Sequence, residues 1–320
     1  MTELMKKNIL FVLPLMLMGF ILTSCEKDEI KSESVIVADS YVKNDFDKWL
    51  EANFVNPYNI DFKYRYEEIE SDYNYYTVPA NMDNAILMAH ILKYLCMETY
   101  DEVAGIEFTR SNFPKMFYLI GEWEYRNNGS YILGTAEGGK KILLAGINYL
   151  GYVLNGQWGE SDDVAENLNH YYIKTIHHEF THILNQTRDY PTSFQEVTGA
   201  SYVNDSQFSE PYVSVYLKRG FISAYAQTEP KEDFAEMVSE YVTHTPEWWE
   251  AQLQAADTMW EEDPEQTQTG RVSIEQKLDI VRAYMSETWN IDLDELRDCI
   301  LTRQANLTSG KIDLEDISLN

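Results

Sequence analysis

Two histidines four residues apart, His178 and His182, with Glu179 beside the first, constrain this 320-residue chain more than any other feature. On an α-helix, residues four apart lie one above the other, so the two imidazoles converge on a single point. Glu179, about 100° round the helix, reaches a water at that point without competing for it. Six histidines in the whole chain make a chance His-Glu-x-x-His an event on the order of once in a hundred such chains. Context strengthens the reading. Tyr172, Ile173, Ile176, Phe180, Ile183 and Leu184 repeat at helical spacing, and neither Pro nor Gly occurs between 164 and 190. His177 has Thr181 at i+4 and reads as a neighbour of the pair, not as a third member.

The chain carries a formal net charge of −28. A surface so acidic repels phosphate backbones and anionic headgroups, which argues against nucleic acid as a partner. Lys6-Lys7 precedes a 14-residue apolar run, 9–22, followed by Thr23-Ser24-Cys25. That run is short for a membrane span and the size of a signal-peptide core. Leu22-Thr23-Ser24-Cys25 resembles the bacterial lipobox. The resemblance implies a signal peptide over 1–24, lipidation of Cys25 and a membrane contact through the lipid anchor alone. Glu26-Lys27-Asp28-Glu29 resembles the signal that sends such lipoproteins to the outer face of the outer membrane; the alternative is a plain polar tether over 25–40. Cys96 and Cys299 remain, and Cys96, in an apolar helical run, reads as a packed thiol.

The expected class is α+β. A first helix carries Phe46, Trp49 and Leu50 and stops before Asn56-Pro57, and Ile60, Phe62, Tyr64 and Tyr66 alternate with polar residues as in a half-buried strand. A long helix follows Pro79-Ala80, and His90 within it reads as a hydrogen-bonded helix residue. Three apolar runs, 116–120, 131–135 and 141–147, read as strands, the last two joined through Gly138-Gly139. This order predicts a small, mostly antiparallel sheet ahead of the histidine helix, within a catalytic domain over 41–320 whose part beyond about 190 is helical. Helices are expected from Pro230 to Tyr241, and over about 246–260, 273–289 and 292–307.

A catalytic zinc takes three protein ligands and keeps a position open. Asn185 and Arg188 stand where the glycine and the third histidine of x-x-Gly-x-x-His would follow His182, and Ser201 excludes a carboxylate nineteen residues beyond it. The best remaining candidate is Glu232, with Glu236 one turn later placed to accept the distal N–H of a ligating histidine. Glu229 shares that face as the alternative ligand, and a solvated acidic face is the plain alternative to both. Asp233 points elsewhere.

The lipobox, His178-Glu179-Phe180-Thr181-His182, Phe221-Ile222-Ser223-Ala224-Tyr225-Ala226 and Glu232-Asp233-Phe234-Ala235-Glu236 together make the chain similar to the substrate import-associated zinc metallohydrolase lipoproteins, a family of zincin-like metallopeptidases. The resemblance implies Zn2+ as cofactor, a peptide or protein substrate, and a TonB-dependent transporter with its lipoprotein partner as neighbours at the cell surface. Spacing similar to that of lethal-factor-type gluzincins implies that Tyr225, seven residues before Glu232, faces the substrate oxyanion. It also implies a cleft bounded by an edge strand near 131–135. Glu179 would then be the general base. Two other functions remain open on sequence: hydrolysis of a non-peptide amide or ester, and a non-catalytic surface lipoprotein that binds substrate and keeps zinc for structure.

Overall fold

Helix α1 (Asp45–Leu50) begins at Asn44, whose side chain accepts from the Asp47 N–H while the Asp47 carboxylate accepts from the Asn44 N–H, a reciprocal cap. The helical path continues through Glu51–Val55 and Asn56–Tyr58 and stops at Asn59, with φ 54. The stop therefore falls after Pro57 and not before Asn56. Proline fits the opening of that last short turn, where Pro57 is its second residue, and asparagine tolerates the left-handed conformation that ends it.

This computed structural model describes residues 42–319 apart from 72–73, 127–128, 205–207 and 264–265. The signal peptide, Cys25 and the tether expected before residue 41 lie outside the described residues. Residues 43–320 form one compact unit.

The four-stranded sheet has the order β1 (Asp61–Lys63), β2 (Met116–Leu119), β6 (Lys141–Leu144), β5 (Gly134–Glu137). β1 and β6 both run parallel to β2, and only β5 is antiparallel to its neighbour. The expectation of a mostly antiparallel sheet is thus corrected. A parallel pair needs a long crossover, and the helical stretch between β1 and β2 supplies one: α2 (Met82–Ile91), capped by Asn81 and continued through Leu92–Met97 and Glu98–Ala104. The long helix between β1 and β2 and the unbroken apolar run of β2 are the sequence signs of parallel pairing, while the alternation at 60–66 and the glycine hairpin point to antiparallel pairs.

β5 and β6 form the hairpin expected at Gly138 and Gly139, which take φ 57 and 68. The edge strand, however, is shifted from the expected 131–135. Tyr131–Ile132 (β4) pairs with Glu124–Tyr125 (β3) in a separate two-stranded sheet, and β5 forms the edge on this side of the four-stranded sheet, with β1 at the other. Gly134 lets that edge lie close to its neighbours: a Cβ there would sit 2.8 Å from both the Leu143 carbonyl oxygen and Thr175 Cγ2. The edge strand is thereby seated on the helix that carries the histidines.

That helix is α3 (Lys174–Thr187), reached through helical Val164–Leu168 and Asn169–Ile173. Its residues Ile176, Phe180, Ile183 and Leu184 are buried, and each such side chain contributes roughly 1.5–3 kcal/mol on burial. α4 (Pro230–Thr243) packs beside it and buries Phe234, Met237 and Val238, the Phe234 ring lying against Tyr190, Phe194 and Tyr284, with Pro230 at the first turn where a missing N–H costs nothing. Then come α5 (Pro246–Ala255), α6 (Gly270–Trp289) and α7 (Leu293–Thr308), begun by the side chains of Thr245, Thr269 and Asp292. α5 ends five residues short of the expected 260. Among the described residues no strand occurs after 190, and no helix is long and apolar enough to cross a membrane.

Candidate metal centre

With its apolar stripe facing the core, α3 turns His178 and His182 toward α4. Their Nε2 atoms stand 3.0 Å apart, and Glu232 Oε2 lies 3.1 Å from each. Zinc bonds of about 2.0–2.2 Å in a tetrahedral shell place ligand atoms roughly 3.3–3.5 Å apart, so these three atoms already stand within a few tenths of an ångström of that spacing. Two imidazoles and one carboxylate are also the donor set of hydrolytic zinc sites. Among the described residues these three form the one His/Cys/Asp/Glu group with metal-holding geometry. Burial opposes charge on Glu232, but hydrogen bonds from His178 and His182 outweigh it and hold the carboxyl well below the usual range.

Glu179 sits beside this point on the side of the edge strand. Burial raises its carboxyl above the ordinary range, with His178, His182 and a hydrogen bond from the Ala136 backbone of β5 pulling the other way. A carboxylate made more basic is suited to taking a proton near neutral pH. Tyr225 opens the short turn Tyr225–Gln227 and is half exposed, with its ring centroid 6.1 Å from that of His178. Burial of its hydroxyl and the nearby Glu232, Glu236 and Glu179 raise its pKa further, so the phenol remains a proton donor.

Glu236 is almost fully buried, and its Oε1 lies 2.8 Å from His178 Nδ1. Its Oε2 accepts from Ser223 Oγ at 2.6 Å and from Lys174 Nζ at 3.2 Å. Lys174 also meets Glu240 Oε1 at 3.1 Å. Lys174, Ser223 and Glu240 were not singled out on sequence, yet a signal existed. Lys174 precedes His178 by four residues and Glu240 follows Glu236 by four, so each extends the face already under consideration.

The remaining candidates lie elsewhere. Glu229 is exposed and pairs with Lys231 at 3.0 Å. Asp233 is buried against Lys277 Nζ at 2.5 Å and Tyr202 Oη at 2.8 Å. His177 is sealed in the core, with Nδ1 3.1 Å from the Tyr100 hydroxyl, and burial takes its pKa down to about 3. His90 lies against Trp49 with centroids 4.4 Å apart and the rings tilted by 40°, and it bonds to the Asp316 backbone, which leaves its Nε2 without a partner. Cys96 and Cys299 are free thiols.

A family model described as "Putative zinc-binding metallo-peptidase" matches residues 39–294 of the chain. A crystal structure of a protein described in the same words, from Bacteroides caccae ATCC 43185, is similar over 89% of this chain and 100% of that one, with 38% identity and a TM-score of 0.68. No curated protein matches.

Proposed function

Because the chain belongs to this zinc-binding metallo-peptidase family, we propose that it is a zinc-dependent peptidase whose metal is held by His178, His182 and Glu232. The observation that carries the proposal is the convergence of two Nε2 atoms and one carboxylate oxygen within 3.1 Å of one another, with Glu179 next to them. Zinc at that point supplies Lewis acidity, worth several kcal/mol of charge stabilisation at a carbonyl oxygen. Glu179 takes the proton of the attacking water and passes it to the leaving amine. Tyr225, held as a neutral phenol, donates its O–H to the developing oxyanion. β5, the open edge beside Glu179, offers backbone groups that would keep an extended peptide in register. A purely structural zinc takes four protein ligands, and the group found among the described residues has three.

Purified protein is expected to carry about one zinc per chain, and His178→Ala or His182→Ala to lose it. Glu232→Ala should weaken zinc far more than Glu229→Ala. Glu179→Gln should keep zinc yet abolish cleavage of a peptide library, since the shape stays and the base goes. Metal content unchanged in both histidine variants removes the proposal, and an active Gln variant removes Glu179 as base.

We also propose that the protein is an outer-membrane lipoprotein, anchored through Cys25 and exposed at the cell surface beside a TonB-dependent importer and its lipoprotein partner. Lys6-Lys7, the apolar run and Leu22-Thr23-Ser24-Cys25 support the anchor; the importer rests on the family resemblance alone. Cys25→Ala should release soluble protein, and protease added to intact cells should digest the wild type. Membrane attachment with resistance to that protease would move it to the periplasmic side.

A further inference from the structure

α3 and α4 face each other through two ladders of four-residue spacing. One carries Lys174, His178 and His182; the other carries Glu240, Glu236 and Glu232. The rungs alternate between the ladders: His182 meets Glu232, Glu232 meets His178, His178 meets Glu236, Glu236 meets Lys174, and Lys174 meets Glu240. The metal point occupies one end, and a lysine stands two rungs away.

An imidazole presents Nε2 to a fixed point only while its ring cannot turn about the Cβ–Cγ bond. For His178 the group placed to supply that restraint is Glu236 Oε1, 2.8 Å from Nδ1, an ion-pair contact that lies off the line of a hydrogen bond. The restraint works only if the Glu236 carboxylate is itself held. Ser223 Oγ holds Oε2 at 2.6 Å and is in turn fixed by the Ala226 N–H at 3.0 Å. Lys174 Nζ completes the grip, 3.2 Å from Oε2 and 3.5 Å from Oε1, with its own position set from the far side by Glu240. We propose that Lys174 is a positioning residue of the zinc centre: it clamps Glu236 in the rotamer that aims His178 Nε2 at the metal. The proposal rests on the reading of His178 as a ligand given above.

The competing role is a helix-to-helix ion pair that stabilises the fold and leaves the centre alone. Zinc affinity separates the two, because a plain ion pair has no reason to act through Glu236. The affinity of metal-free, full-length protein is measured by competition with a chromophoric zinc chelator for wild type, Lys174→Met, Glu236→Gln and the double variant. Removing an outer partner of a metal ligand commonly costs roughly 10–100-fold in affinity. Lys174→Met is expected near the lower figure, about tenfold, and Lys174→Arg within about threefold of wild type. The double variant should bind no more weakly than Glu236→Gln alone, since residues acting in series are not additive.

Lys174→Met within threefold of wild type overturns the clamp, as does the same loss in both backgrounds. If Lys174→Met does not fold without metal, Lys174→Gln, which keeps a donor and drops the charge, enters the same cycle. His182→Ala is the control. Should it bind zinc as tightly as wild type, the assignment of the centre fails, and that failure is distinct from failure of the clamp.

Discussion

At the scale of single residues, the centre combines groups whose spacing along the chain announced them with groups that only packing delivers. Tyr225 belongs between the two. Its place in the sequence suggested a role by resemblance, and the structure sets its ring against His178 with half its surface open. If its O–H meets the oxyanion, the bond strengthens in the transition state, so its loss lowers turnover far more than substrate affinity. Tyr225→Phe should cost on the order of 10²–10³ in kcat, by comparison with other oxyanion donors, with KM and zinc content near wild type. Normal turnover in the Phe variant removes the role. A variant that instead loses zinc assigns the hydroxyl a structural task.

At the scale of elements, the start of α1 shows how a cap becomes a tertiary joint. Asp47 closes the Asn44 cap and also receives Arg65 through both guanidinium nitrogens, at 2.7 and 2.8 Å, together with the Tyr64 hydroxyl at 2.9 Å. Burial alone would raise the Asp47 carboxyl, but these donors outweigh it and hold the carboxyl below its ordinary value. A carboxylate with a depressed folded pKa contributes stability that is present above its unfolded value, near 3.9, and is lost as pH falls through the folded one. Arg65 is about half exposed, which screens its share. Asp47→Asn should therefore destabilise the chelator-treated protein by about 1–2 kcal/mol at pH 7, and the gap to wild type should close as pH drops below 4. Urea midpoints at the two pH values measure it, and equal midpoints at pH 7 show that the network has no net energetic consequence.

At the scale of the molecule, α3 and α4 meet along the ladder that ends at the metal point, so zinc held by His178, His182 and Glu232 would tie together segments fifty or more residues apart. A ligand that binds only the folded state stabilises it by RT ln(1 + [L]/Kd), about 2.7 kcal/mol when free zinc is a hundred times Kd. For a domain of this size that corresponds to a rise of roughly 5 °C in Tm. Thermal scans with and without chelator should show the shift in wild type and its absence in His182→Ala. A shift of the same size in that variant places the stabilising zinc somewhere else.

Whatever depends on local periodicity was legible in the order of residues alone. The His178/His182 pair, the helix that carries it, the Pro230 helix with Glu232 and Glu236 on one face, the Gly138-Gly139 hairpin and the separation of His177 from the pair all follow from residues three to four apart, because the geometry of a helix or turn is set within that distance. Tertiary structure decided the rest. It chose parallel pairing for β1, β2 and β6, because a crossover is a relation between distant segments. It made β5 the edge and drew β4 into another sheet. It brought Glu232 rather than Glu229 to the imidazoles, since the side on which a helix meets its neighbour depends on how both bury their apolar faces. And it placed Lys174 on Glu236, sixty-two residues away, where two ladders regular in sequence acquire meaning only once the helices that bear them lie antiparallel and touch.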